Sequence, residues 1–142
     1  VTDGVAGTSI YALWPGVFEL KLVYNYGIAF GLFQGVGVFF APIAIAIAAA
    51  TALYSGRHPR EPVWVHLGLG LLAAGAIGNM IDRLWHNRVT DMFWIRAIDF
   101  PVFNVADVCI TTGAGLVAFR WAFGGRRELV PQVREPASPG RD

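Results

Sequence analysis

Asp91 and Asp107 are the side chains with the most chemistry to offer in this sequence. They fall in the stretch 75–110, GAIGNMIDRLWHNRVTDMFWIRAIDFPVFNVADVCI, together with Asn79, Asp82, Arg83 and Asn104. Two aspartates can hydrolyse a peptide bond if they share one proton. The charged one deprotonates water, and the neutral one protonates the carbonyl oxygen. Like charges at close range raise one pKa and leave the other low, so identical side chains become an acid and a base. Spacing alone does not make these two carboxylates meet, but the helix ends predicted around them make it possible.

The polar neighbours have positions of their own. Asn79 and Arg83 are four apart and share a helix face, with Asp82 close by. Asp107 follows Asn104 by three, about one turn inside the next apolar run, where a lone charge is costly. Plainer roles stay open. Asn104 can serve as a helix N-cap, and Asp107 can complement a helix dipole. Asp91 by itself reads as a surface loop residue, Asp82 with Arg83 as a structural polar network, and Asp99 as solvated. His66 sits mid-run without a second ligand at metal spacing, so a packing histidine is expected there and no metal site. His58 and His86 are expected in solvent. Cys109 is the only cysteine, which excludes an internal disulfide and fits a small buried hydrophobe. No G-x-S-x-G, H-E-x-x-H or phosphate loop is present.

What must position these residues is lipid-solvated structure. Only 15% of the 142 residues are charged and 55% are hydrophobic, and the apolar residues come in runs. Ordinary soluble domains carry about 25% charged residues. Residues 36–54 hold no charge over nearly the length, about 20 residues, that a helix needs to cross the hydrocarbon. Residues 63–79 and 102–123 form two further predicted spans, and 80–101 reads as a loop. Residues 17–23, VFELKLV, alternate like a short strand, and 1–35 are expected to be extended at the membrane surface. Trp14, Trp64, Trp85 and Trp94 fall near predicted interfaces, as an aromatic belt would. No basic block lies outside the tail, which argues against nucleic acid.

The fold expected is therefore an all-α polytopic membrane helical bundle with a small extracytoplasmic β-like element. Residues 1–123 would be the membrane-embedded domain and 124–142 a disordered cytoplasmic tail. The 55–62 loop and the segment from Arg120 carry seven basic residues, and the other side carries four: Lys21, Arg83, Arg88 and Arg96. This bias puts the C-terminus in the cytoplasm and the Asp91 side outside.

Four pieces in order carry a family resemblance: Asn25-Tyr-Gly-Ile-Ala-Phe-Gly31, Gly75-Ala-Ile-Gly-Asn-Met-Ile-Asp-Arg83, Val89-Thr-Asp91 and Phe100-Pro-Val-Phe-Asn-Val-Ala-Asp107. Over roughly residues 18–121 the sequence resembles the lipoprotein signal peptidases, also called signal peptidase II. The resemblance implies an intramembrane aspartic endopeptidase of the bacterial inner membrane. Its substrate would be a prolipoprotein bearing a diacylglyceryl cysteine, cut just before that cysteine. Asp91 and Asp107 would be catalytic. Asn25, Asn79, Arg83 and Asn104 would shape the site and hold substrate, with Asp82 structural. No metal or organic cofactor is implied, globomycin-type inhibitors are, and a monomer is expected. The segment 25–33, rich in Gly and aromatics, would close over the substrate.

Two positions and one segment depart from the family pattern. Met92 stands where Phe is usual, Val108 where Ser is usual, and the usual first span with its D-x-x-(S/T)-K stretch is absent ahead of the strand. With Val1 at the start, a fragment or shifted start is the expectation. The competing readings are an inactive family member or a non-enzymatic transport or binding subunit.

Overall fold

A computed structural model describes residues 11–26 and 41–124. Among the described residues the chain runs through two strands, two helices, a third strand and a third helix, the strands antiparallel. Strand β1 is Tyr11–Trp14 and β2 is Phe18–Asn25. Pro15 and Gly16 make the turn between them, with Gly16 at φ 76° and Val17 N–H donating to Trp14 O at 2.9 Å. Proline's fixed φ followed by a residue at positive φ is the geometry of a type II turn. The Glu19 carboxylate accepts the Gly16 N–H at 3.1 Å and Arg96 at 2.9 Å, which fastens the hairpin to the end of the third strand. Arg96 holds the Glu19 carboxyl below the usual carboxylate range.

Helix α1, Ala41–Arg57, is the described part of the first predicted span; residues 36–40 lie outside the described residues. Helix α2 is Val63–His86 and α3 is Val105–Phe123. Both are long and apolar enough to cross a membrane. Helix α2 runs seven residues past the predicted end at Asn79, because Ile81 and Leu84 continue the apolar face and no breaker intervenes. It stops where Asn87 takes the left-handed conformation, φ 54°, and its N–H closes on Arg83 O at 3.0 Å.

The 80–101 loop expected from sequence is not a loop. Val89–Ile95 is strand β3, followed by a 3-10 turn at Arg96–Ile98. The run VTDMFWI has the β-branched and aromatic content of a strand, which the charges around it obscured. The sheet order is β1-β2-β3. Register places Val23 opposite Asp91 and Asn25 opposite Val89, beyond an irregularity between Leu20 and Val23.

Helix packing leaves the apolar surface outward. Few hydrophobic side chains are buried, among them Val65, Leu69 and Ala76, while Ile45, Leu67, Phe119, Trp121 and Phe123 are exposed. Helices apolar all round, with their large side chains outward, suit a hydrocarbon solvent rather than water.

Small residues let α2 and α3 approach. A Cβ at Gly75 would strike Ala106 O and lie 2.8 Å from Ile110 Cγ1; one at Gly113 would lie 2.7 Å from Leu72 N. Close backbone approach through glycine is the usual way membrane helices gain packing. Gly75→Leu is expected to separate the helices and destabilise the bundle by about 1–3 kcal/mol or more. Thermal unfolding in detergent would show it, and an unchanged melting temperature would contradict the crossing.

The far end of the bundle has its own tie. Arg120 Nε donates to Glu61 Oε2 at 2.7 Å, and Ser55 Oγ meets His66 Nδ1 at 2.8 Å. His66 is thus a hydrogen-bonded packing residue joining α1 to α2. Cys109 is half-buried rather than buried.

Candidate active site

Asp91 reaches the helices because a second piece of chain clips onto β3. Phe103 N–H donates to Phe93 O at 3.0 Å, and Phe103 O accepts Met92 and Phe93 N–H at 2.9 and 2.8 Å. The rings of Phe18, Phe93, Phe103 and Phe100 pack in sequence with centroids 5.7–6.0 Å apart. Asn104 is the next residue after this clip and caps α3. Its Oδ1 accepts Asp107 N–H at 3.1 Å, while Asp107 Oδ2 accepts Asn104 N–H at 3.1 Å. Such a reciprocal box is a strong helix start. The cap predicted for Asn104 and its place beside the aspartates are therefore one arrangement.

A backbone N–H can only donate, so the cap fixes every amide around it. With Asn104 Oδ1 turned to Asp107 N–H, Asn104 Nδ2 points the other way. It donates to Asp91 Oδ1 at 2.7 Å and to Asn79 Oδ1 at 3.1 Å. That turns Asn79 Nδ2 toward Asp107 Oδ1, at 2.9 Å. Asn25 Nδ2 completes the set on Asp91 Oδ2 at 3.2 Å. Each oxygen of both carboxylates thus accepts an N–H, and Asn104 touches both aspartates.

Asp91 is only 3% exposed and Asn104 6%. The plainer reading of Asp91 by itself, a surface loop residue, does not hold: it is buried and lies on strand β3. Burial raises the Asp91 carboxyl pKa, against the lowering effect of the Asn104 and Asn25 donors; the nearby Asp107 charge adds to the rise. Two carboxylates tied to one asparagine in this way are a candidate acid and base.

Arg83 donates to Asn79 O at 3.0 Å and lies within the electrostatic reach of Asp91 and Asp107. Asn25, Asn79, Arg83, Asp91, Asn104 and Asp107 all line one cavity of about 400 Å³. Asp82 does not line it; its carboxylate faces His86 at 3.8 Å. Among the described residues no group of three or more His, Cys, Asp or Glu is placed to hold a metal. Residues 27–33 of the predicted closing segment lie outside the described residues.

The apolar side of the cavity escaped sequence reading. Ile95, Phe100, Phe103 and Ile110 form it with Thr111 and Thr112. The aromatic spacing about β3 carried a signal, but only if β3 had been read as a strand.

An outward-apolar helical bundle with a buried carboxylate, Asp91, and a half-buried one, Asp107, at one end of it suits a membrane-bound peptidase of the aspartic class. The family model for signal peptidase (SPase) II matches residues 2–123. A lipoprotein signal peptidase of Gloeobacter violaceus is 40% identical over 136 residues, covering 92% of this chain and 78% of the relative. One of Symbiobacterium thermophilum is 47% identical over 107 residues, 72% of this chain and 69% of the relative. A bacterial membrane enzyme solved by the in meso method at 2.3 Å resolution superposes with a TM-score of 0.77 at 28% identity, over 89% of this chain and 78% of that one. The chain belongs to the signal peptidase II family, aspartic peptidases of the bacterial inner membrane that process lipoproteins.

Proposed function

We propose that Asp91 and Asp107 are the catalytic dyad, and that the enzyme cuts prolipoproteins just before a diacylglyceryl-modified cysteine. The observation that carries this reading is one residue, Asn104, whose side-chain Nδ2 donates to Asp91 Oδ1 and whose backbone N–H donates to Asp107 Oδ2 at the wall of a part-apolar cavity. Asp107, at a helix N-terminus and facing two N–H groups, is placed to carry the negative charge. Asp91, whose pKa burial raises, carries the proton.

The chemistry then follows the positions. Asp107 takes a proton from water as the water oxygen bonds to the scissile carbonyl carbon. Asp91 gives its proton to the carbonyl oxygen. In the second step the diol collapses, a proton passes from Asp107 to the amide nitrogen, and the C–N bond breaks. Asp91 recovers its proton from the diol. Arg83, Asn79 and Asn25 hold substrate carbonyls, and Asp82 stays structural.

In this reading α1, α2 and α3 are three spans and the site lies at the outer face. The α1–α2 loop and the end of α3, with Arg57, Arg60 and Arg120, sit on the cytoplasmic side, together with residues 124–142. Residues 1–123 act as one peptidase unit. Both aspartates come from one chain, so a monomer suffices. A globomycin-type inhibitor would occupy the same cavity. The substrate's lipid remains in the outer leaflet while its peptide bond reaches the dyad.

The test is a reconstituted enzyme given two precursors, identical except that one cysteine carries the diacylglyceryl group. Mass spectrometry should find a new N-terminus at the modified cysteine alone. Equal cutting of both, or of neither, contradicts the substrate.

The raised pKa also sets a pH dependence. Asp91 keeps its proton to higher pH than an ordinary carboxyl, and activity falls as pH rises through that raised value and the pair loses its proton. Asn25 favours the ionised form, so Asn25→Ala should move this alkaline limb of kcat/KM to higher pH. A shift to lower pH contradicts the assignment.

A further inference from the structure

Strand β3 acts as a partition. Side chains alternate across a strand. Val89 and Asp91 face the cavity just described, and Thr90 and Met92 face another, of about 510 Å³. The second cavity has a wetter wall: Tyr24 from β2, Asp82 and His86 from α2, Arg88 and Thr90. Its rim is open to solvent, with the Asp82 and His86 side chains 40% and 63% exposed. Among the described residues, only Asn79 and Asn104 line both cavities. These two are hydrogen-bonded to each other at 3.1 Å, and each also touches a carboxylate of the dyad.

We propose that the second cavity is the water port of the enzyme, through which the hydrolytic water reaches Asp91 and Asp107 past the Asn79–Asn104 amide pair. The inference rests on the dyad reading. Each bond cut consumes one water, whose oxygen must bond to the scissile carbon. A lipid-bearing substrate fills the first cavity and displaces water from that side. A buried water needs about two to four polar partners along its way. The other cavity supplies them: Tyr24, Asp82, Arg88 and Thr90 lead to the two amides. A water can accept the Asn104 N–H and donate to Asn79 Oδ1 in place of their mutual bond. It then lies beside groups that already touch both carboxylates. Water entry and substrate entry are thus on opposite faces of one strand, and the substrate does not obstruct its own hydrolysis.

The experiment narrows the port from two elements. Thr90→Trp fills it from the strand, where an aromatic residue suits the sheet opposite Tyr24. His86→Trp covers it from the exposed end of α2. Thr90→Val keeps the original size. Cleavage of the lipid-modified precursor is followed at varied substrate concentration, with Asp91→Asn and Asp107→Asn as inactive controls. Each Trp variant should lower kcat about tenfold or more with KM within about twofold, because only the water step is obstructed. Thr90→Val, which removes the hydroxyl but leaves the space, should lower kcat less than Thr90→Trp does. Unchanged kcat in both Trp variants overturns the port. So does a rise in KM, with or without a fall in kcat, since the cavity would then hold substrate or support its site. Cutting by the control variants would instead reject the dyad itself, whatever the Trp variants do.

Discussion

Replacing either aspartate by asparagine, Asp91→Asn or Asp107→Asn, should lower kcat by about a thousandfold or more while the protein still folds and inserts. General acid–base groups contribute about 10²–10⁴-fold each, and losing either member of this pair removes the acid or the base outright. The change is nearly isosteric. At Asp91 the new amide still accepts from Asn104, although its NH2 would face the Asn25 NH2. At Asp107 the backbone N–H still donates to Asn104 Oδ1, so the helix cap persists. The loss is therefore one of chemistry, not of structure. Processing of a lipid-modified precursor, with folding checked by thermal unfolding, separates the two. Near-normal turnover by either variant would remove that residue from the mechanism.

Asn104→Ser should show the next largest effect. Serine keeps the N-cap, so stability should change by no more than a few tenths of a kcal/mol to about 1 kcal/mol. It cannot supply the amide that donates to both Asp91 and Asn79. Asp91 then loses its shortest hydrogen bond, and Asn79 loses the contact that turns its NH2 toward Asp107. Misplacing reacting groups by about 1 Å can cost about a hundredfold, and a fall of that order in kcat is expected with little change in melting temperature. If the melting temperature falls steeply and the surviving protein works normally, Asn104 is a cap and nothing more.

The double duty of Asn104 shows why sequence reading reached part of the site. The spacing of Asn104 and Asp107 signals a capped helix start, and both residues are there. The spacing of Asn79 and Arg83 signals one helix face, and Arg83 does return to Asn79 O. These are local facts, fixed by helical geometry. The meeting of Asp91 with Asn104 is not local. It depends on β3 pairing with a strand 66 residues earlier, as Asn25 and Asp91 are, and on the Phe93–Phe103 clip. Neither pairing has a period in the sequence. The strand itself was hidden because charged and polar residues flank a seven-residue run. The predicted span stops short of the end of α2 for a related reason: Asn79, Asp82 and Arg83 look like the end of a span, but the helix runs through them to His86. In lipid, polar residues mark either the end of a helix or the site within it, and composition does not distinguish them.

The second cavity follows the same logic. It exists because Thr90 and Met92 alternate with Val89 and Asp91 across β3. Once the strand is recognised, two faces with different chemistry are required.

A double-mutant cycle on cleavage tests most directly whether the two aspartates work as one unit. Asp91→Asn, Asp107→Asn and the combined variant are measured against the same lipid-modified precursor. Residues that act together lose their function together, so the combined variant should be scarcely slower than either single one. Losses that multiply, as they do for independent sites, would mean that the carboxylates do not share a proton and that the site proposed for this enzyme is wrong.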